Sequence, residues 1–420
     1  MLYIKLIRMT FILSALFLNL VIVAGYFVQP TSAQQQPSIG KDPTLKVETI
    51  ADGLSSPTSM AFINKDHILV LEKEGQVRLV SNGMLQQQPV LKVQVDTTNE
   101  RGLLGIAMIP TKSSNGDTVF LYFTESKSGE PLRNRVYSYQ WNGQNLINPT
   151  LILDLPAEPG PNHNAGKLTI GPDNNLYAVI GDLNHRGKLQ NFKNGPDPDD
   201  TGVLFRVNPN DGQPAKNNPF ASSISASSEK NPLNRYYAYG IRNSFGLAFD
   251  PVTKNLWDTE NGPSKYDEIN LVRPGFNSGW RQIMGPISAS GESQDKLVNF
   301  PGSKYADPVF SWEDPPAITD IEFLNSSKLG DKYKNNIFVG DYNNGNLYYF
   351  EVNGDRTGIK IDNSSQAGLS DLVVNNEKEL SEITFGTGFG SITDIKTGPD
   401  GLLYVLSFDG GKIYRISPSS

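Results

Sequence analysis

The chain of 420 residues contains no cysteine. Disulfides, thiolate nucleophiles and thiolate metal ligands are therefore excluded, and stability must come from a packed core or from bound ions. Histidine is nearly as scarce: His67, His163 and His185 are the only three, so imidazole chemistry has few places to reside. A Lys/Arg block is missing too, and 37 basic side chains are outweighed by 44 acidic ones for a net charge of −7. Nucleic-acid binding requires a concentrated basic footprint, so no nucleic-acid partner is expected. Beyond the N-terminal leader the chain lacks a second long apolar run and almost all helical periodicity.

The leader itself is informative. Lys5 and Arg8 precede an apolar run over residues 9–28, broken only by polar Thr10, Ser14 and Asn19, and small residues Thr31, Ser32 and Ala33 follow. The pattern predicts a signal peptide over residues 1–33, with retention as an N-terminal membrane anchor as the alternative, and then a polar linker over 34–44. The protein is expected to be exported (extracellular, periplasmic or at the cell surface) and to touch a membrane only through that segment.

Hydrophobic residues make up 38% of the chain, enough for a large core, while 39 Gly and 28 Pro mark many turns. Six degenerate units repeat one grammar of strand, turn, strand, polar turn and strand, at 59–80, 102–126, 168–182, 246–262, 319–352 and 393–416. One such unit cannot cover both of its faces without neighbours. The repeat predicts a single all-β domain over 45–420, a six-bladed β-propeller of four-stranded antiparallel sheets. Residues 47–54 are expected to close the ring against the C-terminal sheet, and 288–305 to form a loop insertion near the site. A β-sandwich or two β-domains fit less well, because the turn signature runs through the whole stretch.

Three segments carry candidate chemistry: PNHNAGKLTIGPDNNLYAVIGD (161–182), YGIRNSFGLAFD (239–250) and TENGPSKYDEIN (259–270). His163 lies on a turn-rich loop before a strand, where an imidazole can accept a proton from a hydroxyl. The plain alternative is a solvated loop histidine. His185, three residues after Asp182, is an equal candidate, and His67 before the apolar ILVL reads as structural. Asp182 at a strand end can hold a histidine tautomer or simply form a turn. Arg242 and Asn243 offer a planar guanidinium for a carboxylate or a stacked quinone ring, or else an ion pair between blades. Backbone carbonyls at the Gly-Pro turn with Asp267, Glu268 and Asn270 offer oxygen ligands of the kind Ca²⁺ prefers, though a turn explains them as well.

Taken in order, ERGLLGIAMIP (100–110), HNAGKLTIGPDNNLYAVIGD, TGVLFRVNPNDGQPAKNNPF (201–220), YGIRNSFGLAFD, ENGPSKYDEINLV and PGFNSGW (274–280) resemble the blocks of the soluble quinoprotein glucose/sorbosone dehydrogenase and aldose sugar dehydrogenase family, from about Val47 to the C-terminus. The resemblance implies a propeller binding pyrroloquinoline quinone (PQQ) and Ca²⁺ in a top-face groove, where the C1 hydroxyl of an aldose is oxidised to a lactone and an external acceptor takes the electrons. It implies His163 as the base, Asp182 as its supporting acid, Arg242 and Asn243 as quinone contacts, and the Gly262 and Pro263 carbonyls as Ca²⁺ ligands. Glu100 and Asn162 fall where the family contacts sugar, and Trp312 is expected to line the groove.

The chain also departs from the pattern. Asn343 stands where PQQ-binding relatives place a lysine, and Ser391, Ile392 and Thr393 where they place two arginines. Ile241 and Ser244 flank the Arg-Asn pair in place of a commoner His and Pro, and Asn261 replaces a His or Gln. Arg101, Arg186 and Lys188 are candidates to compensate. The quinone's three carboxylates need cations, so a redox-inactive propeller binding sugars or proteins outside the cell is the second hypothesis. A Ca²⁺-dependent lactonase is the third, disfavoured because Glu260, Asp267 and Glu268 cluster in one segment.

Overall fold

Many strands here are buried along their whole length. Leu176–Ile180, Leu256–Glu260, Ile337–Asp341 and Leu403–Ser407 have no exposed residue, which requires sheets covered on both faces. Others are wetter: the outer strand Leu146–Pro156 is largely exposed. The computed structural model describes residues 36–110, 116–221, 232–361, 369 and 371–419. The expected leader over 1–33 lies outside the described residues, as does the start of the linker. Residues 36–420 form one compact unit.

The described strands assemble into six sheets, and each of the six sequence units begins one of them. Their first strands are Pro57–Asn64, Leu103–Ile109, Leu168–Ile170, Ser244–Phe249, Ile318–Phe323 and Ile392–Thr397. Each first strand touches the first strand of the next sheet, and the sixth touches the first again. The apolar clusters follow the same circuit. Trp257 and Phe310 of the fourth sheet pack with Ile321 and Val339 of the fifth, and Met60 and Val70 of the first pack with Leu406 and Ile413 of the sixth. The fold is therefore an all-β propeller of small, mainly antiparallel sheets around a hub. Burying a side chain of this size between sheets contributes about 1.5–3 kcal/mol, so each sheet depends on both neighbours.

Leu45–Ala51 pairs antiparallel with the final strand Lys412–Pro418, Val47 opposite Ile416, which joins the two ends of the chain. Equal four-stranded sheets are not found: only two of the six have four strands. Two-residue strands are added at the rims, some by parallel pairing, as where Phe276–Asn277 lies beside Tyr236–Tyr239 and Lys304–Tyr305 beside it in turn. Such pieces are too short to show periodicity. Residues 288–305, expected as a loop, contain a short helix Ile287–Ser290, a 3₁₀ turn and that last strand.

Four of the sheets are also tied at the hub by a buried ionic network. Asp394 accepts hydrogen bonds from Ser59 Oγ (2.7 Å), the Met60 amide (2.6 Å) and Lys167 Nζ (2.8 Å). Asp320 pairs with Lys167 (2.7 Å) and Lys396 (3.0 Å). Burial pushes Asp320 up to about 7, while the two lysines hold Asp394 below the usual carboxylate range.

Candidate active site

At one end of the hub lies a cavity of about 360 Å³ lined by five of the six inner strands and by the residue just before the remaining one. Thr58, Leu104, Lys167, Phe245, Ile318 and Thr393 represent them in chain order, Lys167 from the position just before its strand. Phe408, Tyr342 and Ala317 extend apolar wall, and Asn99, Glu100 and Asn261 supply polar groups. A few polar groups in an apolar pocket are the usual composition of a small-molecule site.

Glu100 joins this cavity to the histidine loop. Its Oε2 accepts hydrogen bonds from the His163 amide (2.7 Å) and the Asn243 side chain (2.9 Å). His163 is buried and its φ of 61° lies in the left-handed region, a conformation unusual for a non-glycine residue and often found at functional sites. Its Nδ1 lies 2.6 Å from Asp182 Oδ1. A carboxylate can only accept, so it fixes the proton on Nδ1 and leaves the lone pair on Nε2. Among the described residues no hydrogen bond engages Nε2.

Asp182 is held in turn. The Trp280 indole donates to its Oδ2 at 2.7 Å, and the Asn184 amide donates to its Oδ1 at 2.8 Å. Gly181 brings the segments together: a side chain there would collide with the carbonyl oxygens of His163 and Arg242. The Asp182 amide donates to that same Arg242 carbonyl at 2.8 Å, so the histidine, acid and arginine share one backbone junction.

The Arg242 guanidinium sits 5.3 Å from the centre of the Trp280 ring and donates to the Asn261 carbonyl at 2.9 Å. Among the described residues its buried Nε has no partner, and burial lowers its pKa from the ordinary arginine value. Asn243 is buried, and its Oδ1 accepts from the Ala165 amide. Below the pair, Glu260 accepts from the Arg242 amide and from Ser278 Oγ, and burial pushes it up to about 7. Asp267 shapes the Gly-Pro turn: its carboxylate accepts from the Gly262 amide (2.9 Å) and the Ile318 amide (3.1 Å), and burial pushes it up to about 6. Gly262 is half-buried and Pro263 exposed, so their carbonyls lie on an accessible turn. Among the described residues no group of three or more His, Cys, Asp or Glu side chains is disposed to hold a metal. An ion at this turn would rely on the carbonyls and on oxygens of a bound ligand.

Most of the residues singled out in sequence thus come together: His163, Asp182, Arg242, Asn243 and Glu100 form one connected cluster. Asn162 is half-buried beside it, accepting from Asn99 at 2.9 Å. Trp312 is a correction. It is 1% exposed and packs against Phe310, Tyr348 and Phe350 in the core, so it does not line the groove. Asn343 is exposed outside the cavity lining, where its neighbour Tyr342 takes part instead. Thr393 does line the cavity, yet its hydroxyl is committed to the Pro57 carbonyl at 2.8 Å. None of the compensating cations is free at the site. Arg101 pairs with Asp96 and Glu158, Lys188 pairs with Asp197, and Arg186 lines a separate cleft with Phe192 and Lys296.

Three residues of the site were not anticipated. Trp280 was visible as part of PGFNSGW, but its bond to Asp182 spans 98 positions and leaves no local signal. Lys167 follows the histidine block directly, and Lys73 reads as an ordinary turn lysine.

Comparison with known proteins agrees with this architecture. The family described as "Glucose / Sorbosone dehydrogenase" matches residues 54–415. The aldose sugar dehydrogenase YliI of Escherichia coli is 26% identical over 403 residues, spanning 94% of this chain and 98% of that protein. Quinoprotein glucose dehydrogenase B of Acinetobacter calcoaceticus is 30% identical over 270 residues, 55% of this chain and 53% of its own length. The crystal structure of the soluble aldose sugar dehydrogenase of E. coli in its apo form superposes with a TM-score of 0.69 at 25% identity, covering 90% of this chain and all of that one. The chain belongs to the glucose/sorbosone dehydrogenase family of oxidoreductases.

Proposed function

We propose that the protein is an exported six-bladed propeller enzyme that uses PQQ and Ca²⁺ to oxidise the C1 hydroxyl of an aldose to a lactone, passing electrons to an external acceptor. The observation that carries this reading is the His163–Asp182 pair at 2.6 Å, braced by Trp280 and linked through Glu100 to the hub cavity.

The donor set suits a flat anionic quinone. Apolar walls from Phe245, Ile318 and Phe408 accept a ring, while Arg242 and Asn243 offer a buried guanidinium with an unpartnered Nε and an amide. The Gly262 and Pro263 carbonyls would hold the calcium ion. Bound there, the cofactor supplies the hydride acceptor and the ion makes that acceptor more electrophilic.

This chain's own part is proton transfer and placement. With Nδ1–H directed at Asp182, the Nε2 lone pair of His163 takes the C1 hydroxyl proton, and Asp182 stabilises the imidazolium that results. Glu100 orients the histidine loop through its amide and, with Asn162 beside it, offers acceptors for sugar hydroxyls. The Arg242 charge, desolvated and close to Trp280, is placed for a developing negative charge in the reaction.

Spectral titration of the chain with PQQ, with and without Ca²⁺, tests the reading: saturable, Ca²⁺-dependent binding followed by aldose-dependent dye reduction is expected. A second reading, a propeller that binds sugar or protein without the quinone, draws on the positions of Asn343 and Thr393, neither of which supplies a cation. Sugar binding by calorimetry with no PQQ uptake would select it.

A further inference from the structure

Among the described residues lining the hub cavity only Lys73 and Lys167 are cationic, and the two differ in kind. Lys167 lies between Asp320 and Asp394 at 2.7 and 2.8 Å, so its charge is already neutralised inside the protein. Among the described residues Lys73 has no carboxylate partner. Its ammonium donates to two backbone carbonyls, of Thr97 at 3.1 Å and Asn99 at 2.6 Å. An ammonium has three donors and carbonyls carry no formal charge, so one donor and the whole positive charge remain available.

The position of this charge is set by the scaffold. The Lys73 stem runs across Gly102, where a Cβ would come within 2.7 Å of its Cγ. The Lys73 carbonyl accepts from the Leu103 amide at 3.0 Å, which ties it to the second inner strand. Asn99, which holds the ammonium through its carbonyl, lines the same cavity, and so does the adjacent Glu100.

We infer that Lys73 is a carboxylate-binding point of the hub cavity. An ammonium without a counter-charge at the wall of a partly desolvated pocket attracts an anion more strongly than the same group in open water. The carboxylate has two sources. One is the quinone, in which case the inference rests on the function proposed above and Lys73 supplies charge that Asn343 and Thr393 do not. The other is an aldose that itself bears a carboxylate, a uronic acid.

The experiment compares the full chain with Lys73→Gln, which keeps hydrogen-bond donors without the charge, and with Lys73→Arg. PQQ and its trimethyl ester are titrated spectrally, and glucuronate and glucose by calorimetry, with melting curves recorded for each variant. If the quinone is the source, Lys73→Gln weakens PQQ binding about tenfold or more, the scale of a lost charge-assisted hydrogen bond. The ester is then unaffected, and Lys73→Arg restores PQQ affinity. If the substrate is the source, glucuronate loses that factor while PQQ and glucose do not. No change in either arm overturns the inference, and leaves the quinone reading standing whenever the wild type binds PQQ. Should the wild type bind no PQQ, the quinone reading fails and the glucuronate arm alone decides Lys73. If Lys73→Gln melts early, ionic strength decides in its place: PQQ or glucuronate binding to the wild type that does not weaken with salt overturns the inference.

Discussion

Two histidine–aspartate pairs lie in the same region of this protein, and they are wired in opposite ways. His163 Nδ1 meets Asp182 at 2.6 Å and His185 Nδ1 meets Asp199 at 2.8 Å. The second nitrogens differ. His185 Nε2 lies 3.1 Å from the Glu158 carbonyl, and because a carbonyl can only accept, that nitrogen must carry a proton. With both nitrogens donating, His185 is held toward the imidazolium, and the Asp199 hydrogen bond raises its pKa from the ordinary 6.5. Both of its nitrogens are committed to protein acceptors, so neither faces a ligand. His163 has the buried acid, the bracing tryptophan and, among the described residues, no partner for Nε2, so of the two pairs it is the one that leaves a ring nitrogen open. Adjacency to a carboxylate therefore does not make a histidine a base. What the second nitrogen touches decides it.

Substitutions at the two pairs should separate their roles. The largest expected effect is that of Asp182→Asn, which allows the wrong His163 tautomer and should lower kcat of the reconstituted enzyme by about 10²-fold or more, whereas Asp199→Asn should leave kcat nearly unchanged. Steady-state dye reduction with an aldose measures both, and equal losses would erase the distinction. A smaller effect is expected of Trp280→Phe, which keeps the ring beside Arg242 and removes only the donor to Asp182. A fall in kcat of about tenfold with little change in KM is predicted, from the loss of one hydrogen bond to a charged group.

The smallest effect is a matter of pH. His185 should titrate above 6.5 by NMR, and with three histidines in the chain the resonances are few. Since its folded-state pKa is raised, the pair adds stability that is fully present below 6.5 and is lost as pH rises through the raised value. His185→Asn should flatten the stability profile over that window, and an unchanged profile would contradict the assignment.

The propeller class was legible because its evidence is local. Strand, turn and strand recur within each unit, and a strand buried on both faces is a short apolar run such as LYAVI or LLYVL. The additional rim strands were not legible, since two-residue pieces such as Phe276–Asn277 carry no pattern and depend on which edge the chain returns to. His163 was conspicuous through scarcity and through the blocks around it, yet residue types alone left it level with His185. The orientation of Nε2 is a tertiary fact. Trp312 was expected at the groove only from the family resemblance, and the residues around it carry no signal that the fold turns that ring toward Phe310 and Phe350. Lys73 was invisible for the converse reason: in LEKEGQV it looks like a solvated turn, and only the closing of the ring sets it against the cavity.

In the proposed reaction one imidazole, His163, is the base. This is tested most directly by aldose-dependent dye reduction after reconstitution with PQQ and Ca²⁺, measured side by side for the wild type, His163→Asn and His185→Asn, with PQQ uptake confirmed spectrally in all three. The account predicts that His163→Asn binds the cofactor but loses about 10²- to 10⁴-fold in turnover, while His185→Asn keeps nearly all of it. Turnover that survives in His163→Asn, or that disappears in His185→Asn with the cofactor still bound, would contradict it.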